Sequence, residues 1–238
     1  MELGDEGMSK SLKIFLLVIA IILFGIGAFF YIGFAGLPWK KISVGNETLK
    51  YLENKYGEEF KIEDRFFNFK DGSYNIAVHP VTDPSLSFHA GEGWGEYKYF
   101  DYYAEEIWTK QAEEDYKEIV HKIFPDLRHY RVSTVYGEGI EKVKKAPIPD
   151  YIESNAYIDV AVNLPFRFSE SDAEFQRMYT LIQYVQKKGG NVNIFIAYEP
   201  RDNDTKDTKS TTYITLSNSE IKKIKTIDDI KKYYNNIE

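Results

Sequence analysis

The sequence predicts an α+β protein: an N-terminal transmembrane helix followed by antiparallel sheet with helices packed on it, arranged as two similar subdomains. Three observations carry this. An uncharged run of 23 residues, Ile14 to Gly36, stands near the start. Beyond it, short alternating runs bounded by turn residues signal hairpins more often than strand-helix-strand crossovers. Two longer stretches repeat apolar residues at helical spacing.

The uncharged run, at about 1.5 Å per helical residue, reaches roughly 35 Å and so exceeds a hydrocarbon core of about 30 Å. It is apolar all round, unlike a core helix with its polar face. It is also too long for the apolar centre of a signal peptide, and no clean small-x-small cleavage site follows it. The expectation is an uncleaved anchor over 14–36, with Ile14, Leu17, Ile21, Phe24 and Phe30 meeting lipid. Lys10 and Lys13 mark one membrane surface, and Tyr31, Trp39, Lys40 and Lys41 the other. Counting cations near the span places the C-terminal side in the cytoplasm by the positive-inside rule, but large domains translocate largely regardless of nearby charge. A short tail (1–13) before one span and a large cysteine-free body is the layout of a signal-anchored protein. The body is therefore expected to be extracytoplasmic.

Composition narrows the function classes. The chain has 238 residues, 43% of them hydrophobic and 28% charged, too apolar for disorder and long enough for one large domain or two small ones. It has no cysteine, which excludes disulfide scaffolds, thiolate metal sites, cysteine nucleophiles and a lipoprotein-type lipid anchor. Its net charge is -7 and no basic run is visible, so no nucleic-acid partner is expected.

In order along the body, Asn46 reads as the N-cap of a helix that buries Leu49, Leu52 and Tyr56 and stops at Gly57. Phe60 to Phe69 and Tyr74 to Val78 flank Asp71-Gly72, a strong hairpin turn. A third strand is expected near Leu86 to Ala90, interrupted by Gly91, Gly93 and Gly95, with pairing resuming at Tyr97. A long helix from about Asp101 to Phe124 carries Trp108, Ala112, Tyr116 and Val120 inward and ends at Pro125. A strand follows at His129 to Tyr136. The stretch 139–150, with Gly139 and two prolines, reads as a linker between a first subdomain (37–138) and a second (151–238). In the second, a strand over Ala156 to Leu164, a helix over Ser171 to Lys188 and strands at Val192 to Tyr198 and Thr211 to Leu216 lead to a helix capped by Thr226 with Asp229.

Three stretches, Tyr51-Leu-Glu-Asn-Lys-Tyr-Gly-Glu-Glu-Phe60, His79-Pro-Val-Thr-Asp-Pro-Ser-Leu-Ser-Phe88 and Asp101-Tyr-Tyr-Ala-Glu-Glu-Ile-Trp-Thr-Lys-Gln-Ala112, resemble small membrane-anchored proteins of Gram-positive, low-GC bacteria. The likeness covers roughly residues 45–136. Its motifs are structural, so it implies an exported domain and no catalytic residues.

Candidate chemistry is sparse. His79, Asp83 and His89 share one hairpin but match no metal motif, and turn-forming and surface roles explain them, so no metal is expected. His121 and His129 stand near a helix end, where a cation complements the dipole. Glu105, Glu106, Glu113, Glu114 and Asp115 include enough carboxylates for a glycosidase pair, but along one helix they read as a solvated face. Asp202 to Asp207 offers oxygens without an EF-hand pattern and reads as a hairpin tip. Neither a nucleophile elbow nor a Walker motif occurs, and no cofactor is expected. The aromatic run Trp94, Tyr97, Tyr99, Tyr102 and Tyr103 is the one candidate binding strip, since Tyr and Trp give large contact area at low entropic cost. These readings converge on an anchored, non-catalytic module binding a protein or a cell-wall component. The alternatives are an immunity or inhibitor protein acting on a toxin, and a cell-wall enzyme with paired carboxylates.

Overall fold

A helix of 26 residues, α1 (Lys10–Ala35), opens the computed structural model, which describes residues 9–200 and 211–237. Ser9 caps it by accepting the Leu12 N–H. Ile14, Leu17, Ile21, Phe24 and Phe30 are all exposed, and no residue of α1 is buried. It is the one helix among the described residues that is long and apolar enough to span a membrane. Gly36 ends it at φ +69, where a Cβ would also lie 2.7 Å from the Phe67 ring. The glycine thus serves both a positive φ and a close approach.

After only Gly36 and Leu37, α2 (Pro38–Tyr56) begins. Asn46 therefore lies inside a helix and does not cap it. The early start follows from Pro38, whose fixed φ suits a first helical position. The helix runs through Gly45, which lies under Arg65 and Ile76, where a Cβ would come within 2.9 Å and 3.2 Å of their side chains.

The first sheet has the order β1-β2-β3-β4, with β1 (Phe60–Asn68), β2 (Ser73–Pro80), β3 (Phe88–Glu92) and β4 (Tyr99–Asp101). The β1-β2 turn falls where Asp71-Gly72 predicts it: Gly72 has φ +74, and the Asp71 carboxylate accepts from the Ser73 N–H and hydroxyl. Those bonds hold its pKa below the ordinary carboxylate range. β1 is an edge strand, and it carries Lys61, Glu63 and Asp64 exposed with a bulge between Ile62 and Asp64, devices that discourage pairing with another chain. Gly91 does not interrupt the third strand. It pairs with Asn75 within it, and a side chain there would collide with the Asn75 amide.

The chain divides into two compact units, residues 1–54 with 58–100 and residues 55–57 with 101–238. The division falls ahead of the long helix, not within 139–150, because α3 (Tyr103–Ile123) packs on β5 (His129–Thr134) of the following sheet. The segment expected as a linker holds α4 (Glu138–Lys142), with Ile140 and Val143 buried. Within the second unit, Asp101 is 1% exposed and accepts from Lys55 Nζ at 2.8 Å and from the Tyr56 hydroxyl at 2.6 Å. Such a buried ion is tolerable only when paired and hydrogen-bonded in this way.

The second sheet runs β5-β6-β7-β8-β9, adding β6 (Tyr157–Leu164), β7 (Asn191–Tyr198), β8 (Thr211–Leu216) and β9 (Tyr234–Ile237). It is mixed: β6 and β7 are parallel, joined by α5 (Asp172–Lys188), and the other pairs are antiparallel. A crossover helix is what a parallel pair requires. The inward face is apolar, from Val132, Ile158, Val160, Val162, Leu164, Val192, Ile194 and Ile196, with Trp108, Tyr116 and Val120 of α3 and Phe175, Met178, Leu181 and Val185 of α5 buried. Two short helices with capping boxes, α6 (Asn218–Ile221) and α7 (Ile227–Ile230), precede β9. Hydrogen bonds from the Lys225 backbone, Lys232 and Thr226 hold the Asp229 carboxyl down at about 2.

Candidate functional site

One face of the five-stranded sheet is apolar and buried, and the alternation of each strand sends its other residues to the opposite face. There the register lines side chains into transverse rows. Arg131, Ala161, Phe195 and Thr215 lie side by side across β5, β6, β7 and β8. The next row is His129, Asn163, Ala197 and Tyr213. These eight residues line a concavity of about 310 Å³. Adjacent strands stand about 4.8 Å apart, so each row is roughly 14 Å long. The two methyl groups form its floor, Phe195 and Tyr213 are exposed rings beside them, and the guanidinium of Arg131 and the imidazole of His129 stand at the β5 end.

Polar contacts fix the rim. Asn163 donates to Glu199 at 2.6 Å, which orients its amide, and Arg128 donates to the Glu199 carbonyl at 3.2 Å. In the row beyond, Asn193 donates to Asp159 and accepts from the backbone of Asn218, whose own amide donates to Asn191. Tyr157 adds a third exposed ring at the start of β6. The result is a rigid, shallow surface with apolar faces at its centre and donors and acceptors at its edge.

The aromatic run expected from sequence is shared between the two units. Trp94, Tyr97 and Tyr99 belong to the first unit and Tyr102 and Tyr103 to the second. Trp94 is exposed, with its ring 5.4 Å from Phe100; Tyr99 is half-buried, stacks on Tyr51 at 5.2 Å and donates its hydroxyl to Glu47. Tyr97 is half-buried and its N–H closes a turn onto the Trp94 carbonyl. Tyr102 is half-buried against Tyr136 at 4.6 Å. Tyr103 is buried edge-on to Tyr56 and is a packing residue, because the start of α3 turns it inward.

Glu105 also departs from expectation. It is fully buried, and its Oε1 accepts the N–H groups of Gly137 and Gly139 at 2.8 Å and 2.9 Å, while Oε2 has no hydrogen-bond partner. Burial raises its pKa to about 7 against the lowering effect of those bonds. A Cβ on Gly139 would run into Oε2 and lie 3.0 Å from the Ala104 Cβ, so a side chain there would have to displace the buried carboxylate. Glu105 has no accessible surface. Glu113 and Glu114 are solvated, Glu106 is half-buried and accepts from the Tyr136 hydroxyl, and Asp115 is taken by Lys188 at 2.8 Å and Tyr151 at 2.8 Å.

His79, Asp83 and His89 do not converge. His79 Nδ1 meets the Pro80 carbonyl, Asp83 accepts from Ser85, and His89 lies edge-on to Phe66. Among the described residues no group of three metal-ligating side chains forms. His121 lies in the last turn of α3 with Nδ1 on the Lys117 carbonyl, where a cation would complement the helix end. The acidic stretch from Asp202 to Asp207 lies outside the described residues.

An apolar helix joined to an α+β body, followed by a second α+β unit with one sheet face left uncovered among the described residues, is the class of protein these observations define. Residues 11–97 match the family model described as YfjL-like, N-terminal domain, which spans the long apolar helix and most of the first unit. No curated protein matches the chain. Among solved structures, a DUF5037 family protein from Ruminococcus gnavus is similar at 13% identity, over 77% of this chain and 95% of that one, with a TM-score of 0.36.

Proposed function

We propose that this chain is a single-pass, membrane-tethered binding module with an extracytoplasmic body, and that the uncovered face of the five-stranded sheet takes a cell-wall glycan. The observation that carries this is the pair of transverse rows, in which Phe195 and Tyr213 flank Ala161 and Ala197 while Arg131, His129 and Asn163 stand alongside. A sugar ring has an apolar C–H face and a rim of hydroxyls. Aromatic rings stack on the former, and guanidinium and amide groups meet the latter. The anchor rests on the length and uniform exposure of α1.

The test is co-sedimentation of the full-length protein, in detergent micelles, with purified wall sacculi. The double variant F195A/Y213A is expected to bind about 5- to 150-fold more weakly, since each aromatic contact contributes about 0.5–1.5 kcal/mol. Equal binding by the variant and the native chain removes this face from the account. An alkaline phosphatase fused at the C-terminus is expected to be active; an inactive one, beside a fluorescent fusion that glows, reverses the placement of the body.

A further inference from the structure

We infer that the tip of the β1-β2 hairpin is a second lipid contact, seated in the interfacial layer of the bilayer beside the end of α1, so that the first unit lies on the membrane surface. This rests on the reading of α1 as a membrane span.

Depth gives the first argument. At about 1.5 Å per residue, the 26 residues of α1 reach roughly 39 Å, against about 30 Å of hydrocarbon. The last few residues at each end therefore stand at headgroup level. Phe34, next to the final residue of α1, is 65% exposed, and its ring lies 5.6 Å from that of Phe69, which is 57% exposed at the hairpin tip. Phe69 thus shares the depth of Phe34. The apolar surface of the helix passes onto the hairpin without a break, and whatever covers the one is in reach of the other.

The neighbours suit an interface. Trp39, in the first turn of α2, is 67% exposed, and Ile42 one turn on is exposed too. Large amphipathic aromatics of this kind settle where apolar and wet layers meet. Lys70 is exposed at the tip and Lys41 half-buried on α2, placed to meet lipid phosphates while their stems lie along apolar surface. The acidic groups nearby are engaged within the unit. Asp71 accepts from Asn68 and Ser73, and Glu92 from Lys40 at 3.2 Å and the Tyr74 N–H. The tip is also held in place. Phe67 packs against Tyr74 at 4.8 Å and closes on Gly36, while the Leu37 N–H donates to the Tyr74 hydroxyl at 2.9 Å.

Because the chain has no cysteine, one introduced thiol labels a single position. The full-length protein is placed one chain per nanodisc, in zwitterionic lipid with some anionic lipid, and labelled with an environment-sensitive fluorophore. K70C reports on the tip, L23C on the middle of α1, and T82C on the loop at the far end of β2. Nitroxide-bearing lipids are expected to quench K70C several-fold more than T82C and at a level comparable to L23C. Adding F69S to K70C is expected to bring its quenching down towards that of T82C. Quenching at L23C without quenching at K70C overturns the inference and leaves the span standing. Absence of quenching at L23C overturns the span on which it rests. Fluorescence at K70C that responds to a second copy of the chain and not to quencher lipid makes the tip a protein contact instead.

Discussion

Replacing Trp108 with alanine is expected to cost about 3–5 kcal/mol of folding stability, the range for truncating a fully buried large aromatic. Trp108 has no exposed surface, sits in the second turn of α3 between Ala104 and Ala112, and is one of the largest side chains sealed in the second unit. Its indole N–H donates to the Pro149 carbonyl at 2.9 Å, so it also holds the segment that leads into β6. Trp108→Phe separates the two effects, since it keeps most of the volume and removes the donor. It is expected to cost about 0.5–1.5 kcal/mol for the lost hydrogen bond, beyond the smaller change in volume, since Pro149 is exposed and its carbonyl also accepts from the Ser154 hydroxyl at 3.4 Å. Urea unfolding followed by far-UV circular dichroism measures both. A Trp108→Ala variant within about 1 kcal/mol of the native chain, on a total stability of about 5–15 kcal/mol, contradicts the packing described here.

Glu105 gives the second large effect, and it appears as a pH dependence. An ordinary glutamate in the unfolded chain titrates near 4.5, while burial holds the folded group near 7. Below 4.5 both states carry the proton and no difference arises. Between the two values the unfolded chain has released its proton and the folded one has kept it, so stability falls as pH rises through this window. Above 7 both are ionised and the loss is complete, at about 3 kcal/mol. Glu105→Gln keeps an oxygen for the Gly137 and Gly139 N–H groups and has no proton to release. The difference in unfolding free energy between variant and native chain is therefore expected to shift by about 3 kcal/mol in the variant's favour from pH 4.5 to pH 7. A difference that stays constant across this window means that the native carboxyl is already ionised when buried.

The two cases show where the sequence is and is not legible. Strand positions of β6, β7 and β8 are readable almost residue by residue, as at Thr211–Leu216, because period-two alternation is a local signal and the sheet buries one face, whereas β9 follows two short helices where a single terminal helix is expected. The Asp71-Gly72 turn and the Ser171 cap of α5 are equally local. Pairing is not: nothing in the residues of β6 and β7 tells a parallel neighbour from an antiparallel one. Glu105 resembles the exposed Glu113 and Glu114 in sequence, and its burial depends on a turn more than thirty residues on, where Gly137 and Gly139 converge on it. The candidate face was hidden for a related reason. Phe195 and Tyr213 alternate with core residues as ordinary outward positions do, and only the register sets them beside Ala161 and Ala197. A signal was present in the two rings and two alanines at outward positions of adjacent strands. The strip from Trp94 to Tyr103 was the more conspicuous run, and the fold divides it between two units.

The joint between α1 and α2 is two residues long, and both are held: the Gly36 N–H by Ile32 and the Leu37 N–H by Tyr74. A protein hung from a long Gly/Ser-rich leash sweeps a volume set by the leash length. This one has no leash at that point. If α1 crosses a bilayer, any tilt of the helix is passed directly to the first sheet, and encounters with that sheet depend on lateral drift in the plane of the lipid and on how close a target comes to its surface.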